Sequence, residues 1–348
     1  VSDYRITDVS SGGIHRSVYL SENVDGNTWN SIGVKIMTSE QKGTKIQSFR
    51  FPYSLFRNLI QFLVFFALNL LAFRFVYPFI EINFIPVPVP VLSSLNSSYT
   101  LLGGVLDYFQ IMLSHPLFPL IPLAIILVIG SVFGRFLCGW ACPMGFIQDL
   151  ILKMKGVTTK VSLRKHVSLI KVKYLLLSLI VFFSSTLALS LFLQAGSGYK
   201  EALGRFAEGI LLPIAPETTL FSTIPRLVQA GTESGLLNFT NLTSSGYIVA
   251  LGFVLLAIFF VGAYMVPWFW CRYVCPTGAL MAIPMRFSFL GLKRDPSKCT
   301  KCGDCVEICP MQIRILDLPW EKFNDPECTL CLECVGACSS GALATKML

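Results

Sequence analysis

Charge is scarce in this chain. Only 14% of its 348 residues are Asp, Glu, Lys or Arg, against 53% that are hydrophobic. An ordinary soluble domain carries about 25% charged residues, so the shortfall excludes a wholly water-soluble protein and points to a membrane protein with soluble parts. Histidine is scarcer still. His15, His115 and His166 are the whole supply, which leaves haem held by paired imidazoles between membrane helices without ligands. Lys and Arg are missing altogether from 78–116. There is no glycine-rich phosphate loop, no dinucleotide fingerprint and no triad of nucleophile, base and acid. The first 50 residues are polar, free of cysteine and without the apolar core of a signal peptide. The formal net charge of +8 is distributed as a membrane protein requires and implies no nucleic acid.

Cysteine is what the chain does have, twelve residues in two kinds of spacing. Eight fall near the C-terminus, as Cys299, Cys302, Cys305 and Cys309 before Pro310, and then as Cys328, Cys331, Cys334 and Cys338. Each run is C-x2-C-x2-C-x3-C, the spacing that wraps a chain around a [4Fe–4S] cluster, and in two-cluster proteins the fourth cysteine of each run ligates the other cluster. Cys299, Cys302, Cys305 and Cys338 are therefore assigned to the first cluster, and Cys328, Cys331, Cys334 and Cys309 to the second. Structural zinc and disulfides fit worse, because zinc sites use two close pairs of ligands rather than eight cysteines at this interval. The second run ends on Ser339 where a proline usually follows, a change expected to act on backbone geometry more than on ligation.

The other four cysteines form a repeat. Cys138-Gly-Trp-Ala-Cys142-Pro143-Met-Gly145 and Cys271-Arg-Tyr-Val-Cys275-Pro276-Thr-Gly278 both read C-x3-C-P-x-G, each at the end of an apolar span. On a helix, residues four apart share one face, and a proline both ends the preceding helix and suits the first turn of the next. The spacing predicts spans that end near Cys142 and Cys275, with four thiols converging. Such a site suits iron, mononuclear or in a cluster, with Arg135 and Arg272 offsetting the anionic charge. A reversible dithiol pair, structural zinc and plain helix packing are the other readings.

Four apolar stretches approach the roughly 20 residues a bilayer requires, at about Leu55–Tyr77, Leu117–Phe136, Tyr174–Gln194 and Tyr247–Trp268. Lys and Arg concentrate in 143–173 and after the fourth span, and are sparse in 78–116 and 195–246. The positive-inside rule then puts both termini, the 143–173 loop and the cysteine-rich block in the cytoplasm, in a multi-pass protein of the cytoplasmic (inner) membrane. The two remaining segments are expected at the outer interface, with an extended Ile85–Pro90 and helical stretches over Leu101–Leu113 and Tyr199–Leu212. Asp107, His115 and Glu208 fall there as candidates for a quinone or proton site, beside the plainer reading of solvated or capping side chains. Arg57 and Arg74 are expected to snorkel, and Trp140, Trp268 and Trp270 to anchor at the interface.

The fold expected is a membrane all-α domain of four transmembrane helices, two hairpins in parallel repeat, followed by a C-terminal α+β two-cluster bacterial-type ferredoxin domain. The boundaries expected are a polar extension at 1–50, the membrane domain at 51–290 and the ferredoxin domain at 291–348. With its four spans, its paired Cys138–Cys142–Pro143 and Cys271–Cys275–Pro276 motifs and its double-cluster block, the chain over roughly 50–345 resembles the NapH-type membrane ferredoxins. These are related to the membrane half of NosR-type proteins and to CcoG-type proteins. The resemblance implies an electron-transfer component of an oxidoreductase complex, such as a quinol dehydrogenase subunit. It would relay single electrons among cytoplasmic clusters, the membrane cysteine site and the quinone pool or a partner subunit. A copper-reducing assembly factor and a redox-sensing dithiol scaffold are the alternatives.

Overall fold

The structure, a computed structural model, describes residues 4–11, 14–22, 29–31, 53–68, 88–92, 103–115, 117–155, 160–193, 197–228 and 246–347. The chain divides into two compact units, Val1–Arg50 and Phe51–Leu348. In the first, β1 (Tyr4–Ser11), β2 (Ile14–Glu22) and β3 (Trp29–Ser31) form an antiparallel sheet in sequence order, with Tyr4 opposite Ser21 and Leu20 opposite Ser31. Arg16 to Leu20, where polar and apolar residues alternate, fall within β2.

The second unit is mostly helical. Its elements begin with α1 (Tyr53–Leu68), a two-residue parallel pairing of β4 (Pro88–Val89) with β5 (Gly103–Gly104), and α2 (Val105–Ser114). Then come α3 (Leu120–Phe133), α4 (Phe136–Trp140), α5 (Pro143–Lys155), α6 (Leu163–Phe192) and α7 (Ser197–Leu203). The short α8 (Pro216–Thr218) runs on as a π turn, and α9 (Gly246–Met265) leads through a second π turn, Trp270–Val274, into α10 (Pro276–Met285). Among the described residues two helices are long and apolar enough to cross a membrane, α6 and α9. The apolar helices α1 and α3 are shorter, and the rest of the first expected span, 69–77, lies outside the described residues. Thirty residues make α6 about 45 Å long at 1.5 Å per residue, so its basic N-terminal third can stand clear of a hydrocarbon core of about 30 Å.

The helices leading into the cysteine motifs end earlier than the spacing predicts. Gly134, at φ 59°, closes α3 by donating its N–H to Gly130 O (2.9 Å), so Cys138 sits on the separate one-turn α4. Beyond α9, Pro267 and the left-handed Trp268 (φ 52°) break the helix, and Cys271 rides on the π turn. Pro143 and Pro276 then open α5 and α10, where a missing N–H is harmless.

The two halves of the repeat pack reciprocally: α3 lies against α10, and α5 against α9. Each half's second helix thus rests on the other half's first, which draws the two cysteine motifs together. At the C-terminal end, β6 (Leu290–Arg294) pairs antiparallel with β7 (Leu343–Met347), Leu292 opposite Thr345. Between them lie the cysteine loops and two single-turn helices, α11 (Asp304–Glu307) and α12 (Glu333–Ala337). One buried cluster of side chains joins Trp140, Trp268 and Met285 of the helical part to Leu292, Ile313, Phe323 and Leu330 of the cysteine block. The helices and the block therefore share a core.

Candidate metal centres

Three cavities in the second unit are each lined by four cysteines. Cys299, Cys302, Cys305 and Cys338 line one of about 320 Å³. Cys309, Cys328, Cys331 and Cys334 line a second of about 380 Å³. Cys138, Cys142, Cys271 and Cys275, all buried, line the third, of about 270 Å³.

The two loops of the cysteine block are folded alike. In each, the residues on either side of the second cysteine have positive φ: Lys301 (55°) and Gly303 (91°) around Cys302, and Leu330 (49°) and Leu332 (61°) around Cys331. Non-glycine residues adopt this region at a cost. The paired left-handed steps turn the chain so that successive cysteines face one cavity. Backbone N–H groups then donate to sulfur, from Ile313 to Cys309 (3.4 Å), Leu330 to Cys328 (3.4 Å) and Ala342 to Cys338 (3.2 Å). Burial pushes the Cys305 thiol up to about 11 and, despite Arg57, the Cys331 thiol up to about 12. Thiols placed in this way ionise where a bound cation such as iron offsets the cost of burial. Four thiols, an enclosed space and N–H donors aimed at sulfur fit an iron–sulfur cluster.

The third cavity has the same chemistry. Gly278 N–H donates to Cys275 Sγ (3.2 Å), Gln148 Nε2 to Cys271 Sγ (3.1 Å), and Arg135 forms part of the wall. Pro90, Val91 and Leu92 close it. The stretch after Ile85–Pro90 reaches the thiols, and Phe221, from the segment 195–246, joins Leu92, Cys142 and Cys275 in one buried cluster. Carrying no charge, the 88–92 strand can seal a thiol site from water at little desolvation cost.

Adjacent charged side chains tie this cavity to the cysteine block. Gly139 lies so close to Thr329 that a Cβ there would stand 2.5 Å from the Thr329 carbonyl oxygen, and Trp140 Nε1 donates to Leu330 O (2.9 Å). Arg135 donates to Pro326 O (3.0 Å) and Cys271 O (3.3 Å) and pairs with Glu327 (3.2 Å). Glu327 also pairs with Lys173 and accepts from Tyr174 Oη (2.9 Å). Burial alone would raise the Glu327 carboxyl, but Arg135 and Lys173 outweigh it and hold it below the usual range. Arg272 donates to Pro310 O (3.3 Å), reaches the Gln312 side-chain oxygen and contacts His166.

Arg57 does not snorkel. It is buried at 3% exposure, paired with Asp149 (3.1 Å) and Glu333 (3.1 Å). Asp149 accepts in addition from Gln61 Nε2 (3.0 Å) and Trp268 Nε1 (2.7 Å). Trp140, Trp268 and Trp270 are likewise buried rather than interfacial: the cysteine block packs on Trp140 and Trp268, and Phe259 and Leu92 pack with Trp270. Arg74 lies outside the described residues. The sequence held one sign of this network: Asp149 is the only acidic residue in the basic stretch 143–173.

Asp107 and His115 do not line the cavity that Glu208 lines. Asp107 lies in the first turn of α2, His115 caps that helix and is exposed, and Glu208 lines an open cavity with Arg205, Thr218 and Ser222. A carboxylate not singled out from sequence, Glu217, is 8% exposed, and its Oε2 has no partner among the described residues.

Comparison with known proteins agrees with this chemistry. A family described as a 4Fe-4S binding domain matches residues 115–164 and again 246–294, once over each C-x3-C-P motif, and a 4Fe-4S dicluster domain matches 291–339. Protein MJ0749 of Methanocaldococcus jannaschii is 33% identical over 227 residues, 63% of this chain and 68% of the relative. The putative electron transport protein YccM of Escherichia coli is 26% identical over 264 residues, 75% of this chain and 62% of its own. The ferredoxin-type protein NapH of Escherichia coli is 26% identical over 232 residues, 62% of this chain and 63% of its own. No solved structure matches. The fold and the matches define an iron–sulfur protein of the ferredoxin type with an electron-transfer role. Within that class, the chain belongs to the NapH-type polyferredoxin family.

Proposed function

We propose that the chain is a multi-pass subunit of a membrane redox complex that relays single electrons. The stations are two [4Fe–4S] clusters in the cysteine block, an iron–sulfur centre on Cys138, Cys142, Cys271 and Cys275, and a quinone or partner oxidoreductase. Cys299, Cys302, Cys305 and Cys338 hold the first cluster, and Cys309, Cys328, Cys331 and Cys334 the second. Such clusters supply one-electron oxidation and reduction. The chain's part is to exclude water, donate N–H groups to sulfur and fix the relative placement of the stations. By the distribution of Lys and Arg, both termini and the cysteine block are cytoplasmic.

The observation that carries this reading is the presence of three cavities of similar size, each lined by four cysteines, within one packed unit.

Anaerobic purification with iron and acid-labile sulfide analysis tests the proposal. Two cubanes account for about eight irons per chain and a third iron–sulfur centre adds to them. Cys138→Ala with Cys271→Ala is expected to remove only that addition. An iron content unchanged by the double substitution refutes the third centre.

A further inference from the structure

Arg135 reaches both the cavity of the C-x3-C-P thiols and the cysteine block. It lines the cavity of Cys138, Cys142, Cys271 and Cys275 and donates to Cys271 O (3.3 Å). Its Nη1 meets Pro326 O (3.0 Å) and Glu327 (3.2 Å), immediately before Cys328. The guanidinium is 1% exposed, and its Nε has no partner among the described residues. Arg135 and Lys173 pair with Glu327, and the partly buried Asp325 carboxyl lies within electrostatic reach of both. Arg135 carries its positive charge into a water-poor place between two sets of four thiols. The first set of cluster ligands lies elsewhere, around a cavity walled by Arg294, Leu316 and Leu343.

We propose that Arg135 is a shared positioning and potential-setting residue. It couples the C-x3-C-P centre to the second ferredoxin cluster, and its fixed positive charge favours the reduced form of both over that of the first cluster. The inference rests on the iron–sulfur reading of these thiols and adds which cluster faces the C-x3-C-P centre and what sets its potential. The physical ground is that an electron added to a cluster adds negative charge, and a buried cation nearby stabilises that charge more than a solvated one does. Each transfer moves one electron between two centres, one oxidised as the other is reduced. Arg135 remains protonated throughout, so no proton need accompany the step.

The test is potentiometry monitored by electron paramagnetic resonance on the full-length protein, purified anaerobically in detergent. With Arg135→Gln, the midpoints of the second cluster and of the C-x3-C-P centre are expected to fall relative to the first cluster, and with Arg135→Lys to recover in part. With Glu327→Gln, which removes the opposing charge and keeps the size, the second cluster's midpoint is expected to rise. A merely structural role for both residues would move the two substitutions in the same direction. Equal shifts of all centres, or none, in Arg135→Gln would overturn the proposal. If Arg135→Gln fails to retain iron, Glu327→Gln decides alone: a second-cluster midpoint that does not rise overturns it. Absence of a C-x3-C-P signal from the unsubstituted protein would instead count against the third centre. The second cluster's shift in Arg135→Gln would still read on Arg135's charge.

Discussion

At the scale of single residues, the buried Arg57, Arg135, Lys173 and Arg272 are the most informative feature, because each is matched to a group of the cysteine block. Arg57 answers Asp149 on α5 and Glu333 beside Cys334. Removing one partner of a buried pair strands the other, at a cost of about 3–5 kcal/mol. Arg57→Ala is therefore expected to lower the thermal midpoint in detergent sharply, and Asp149→Asn on that background to recover part of the loss; a change below about 1 kcal/mol would show the pair to be solvated. Glu327 gives a pH dependence of definite sign. Its carboxyl is held low in the folded protein, so its contribution is present above the ordinary glutamate value near 4.3 and is lost as pH falls through the lower folded value. Glu327→Gln is expected to flatten that part of the midpoint-against-pH curve. An unchanged slope would mean that the carboxylate does not hold the junction.

At the scale of elements, close approach replaces charge. Gly139 on α4 meets the Thr329 carbonyl with no room for a Cβ, and overpacking of this kind costs about 1–3 kcal/mol. Gly139→Ala is expected to push the 326–332 loop away while leaving the first cluster's cysteines undisturbed. Hydrogen exchange in that loop should accelerate by about tenfold or more. Exchange at the unsubstituted rate would mean that α4 and the loop are not in contact. Here the limits of sequence reading are visible. Spacing alone located the C-x3-C-P repeat and the cysteine runs, because ligand intervals and proline positions are local. It missed the breaks at Gly134 and Trp268, since a glycine within an apolar run and a left-handed tryptophan carry no periodic signal. It also treated Arg57 and the tryptophans as interfacial, because pairwise partners from distant segments carry no local signal.

At the scale of the molecule, reciprocal packing of the two repeats converts a sequence duplication into one site. The motifs at Cys138 and Cys271 are 133 positions apart, yet α3 against α10 and α5 against α9 leave their thiols around one cavity. The second cavity's loop rests on that site through Thr329, Leu330 and Glu327, whereas Cys302 of the first is exposed. The order this implies is an exposed station, then an internal one, then the centre among the helices. The measurement that bears most directly on it is electron paramagnetic resonance of the anaerobically purified, stepwise-reduced full-length protein, with and without Cys138→Ala and Cys271→Ala. Three iron–sulfur signals, with loss of one and sharpening of a neighbour's spin-coupled line in the substituted protein, are the predicted result. Two signals that are identical in both proteins would contradict the account.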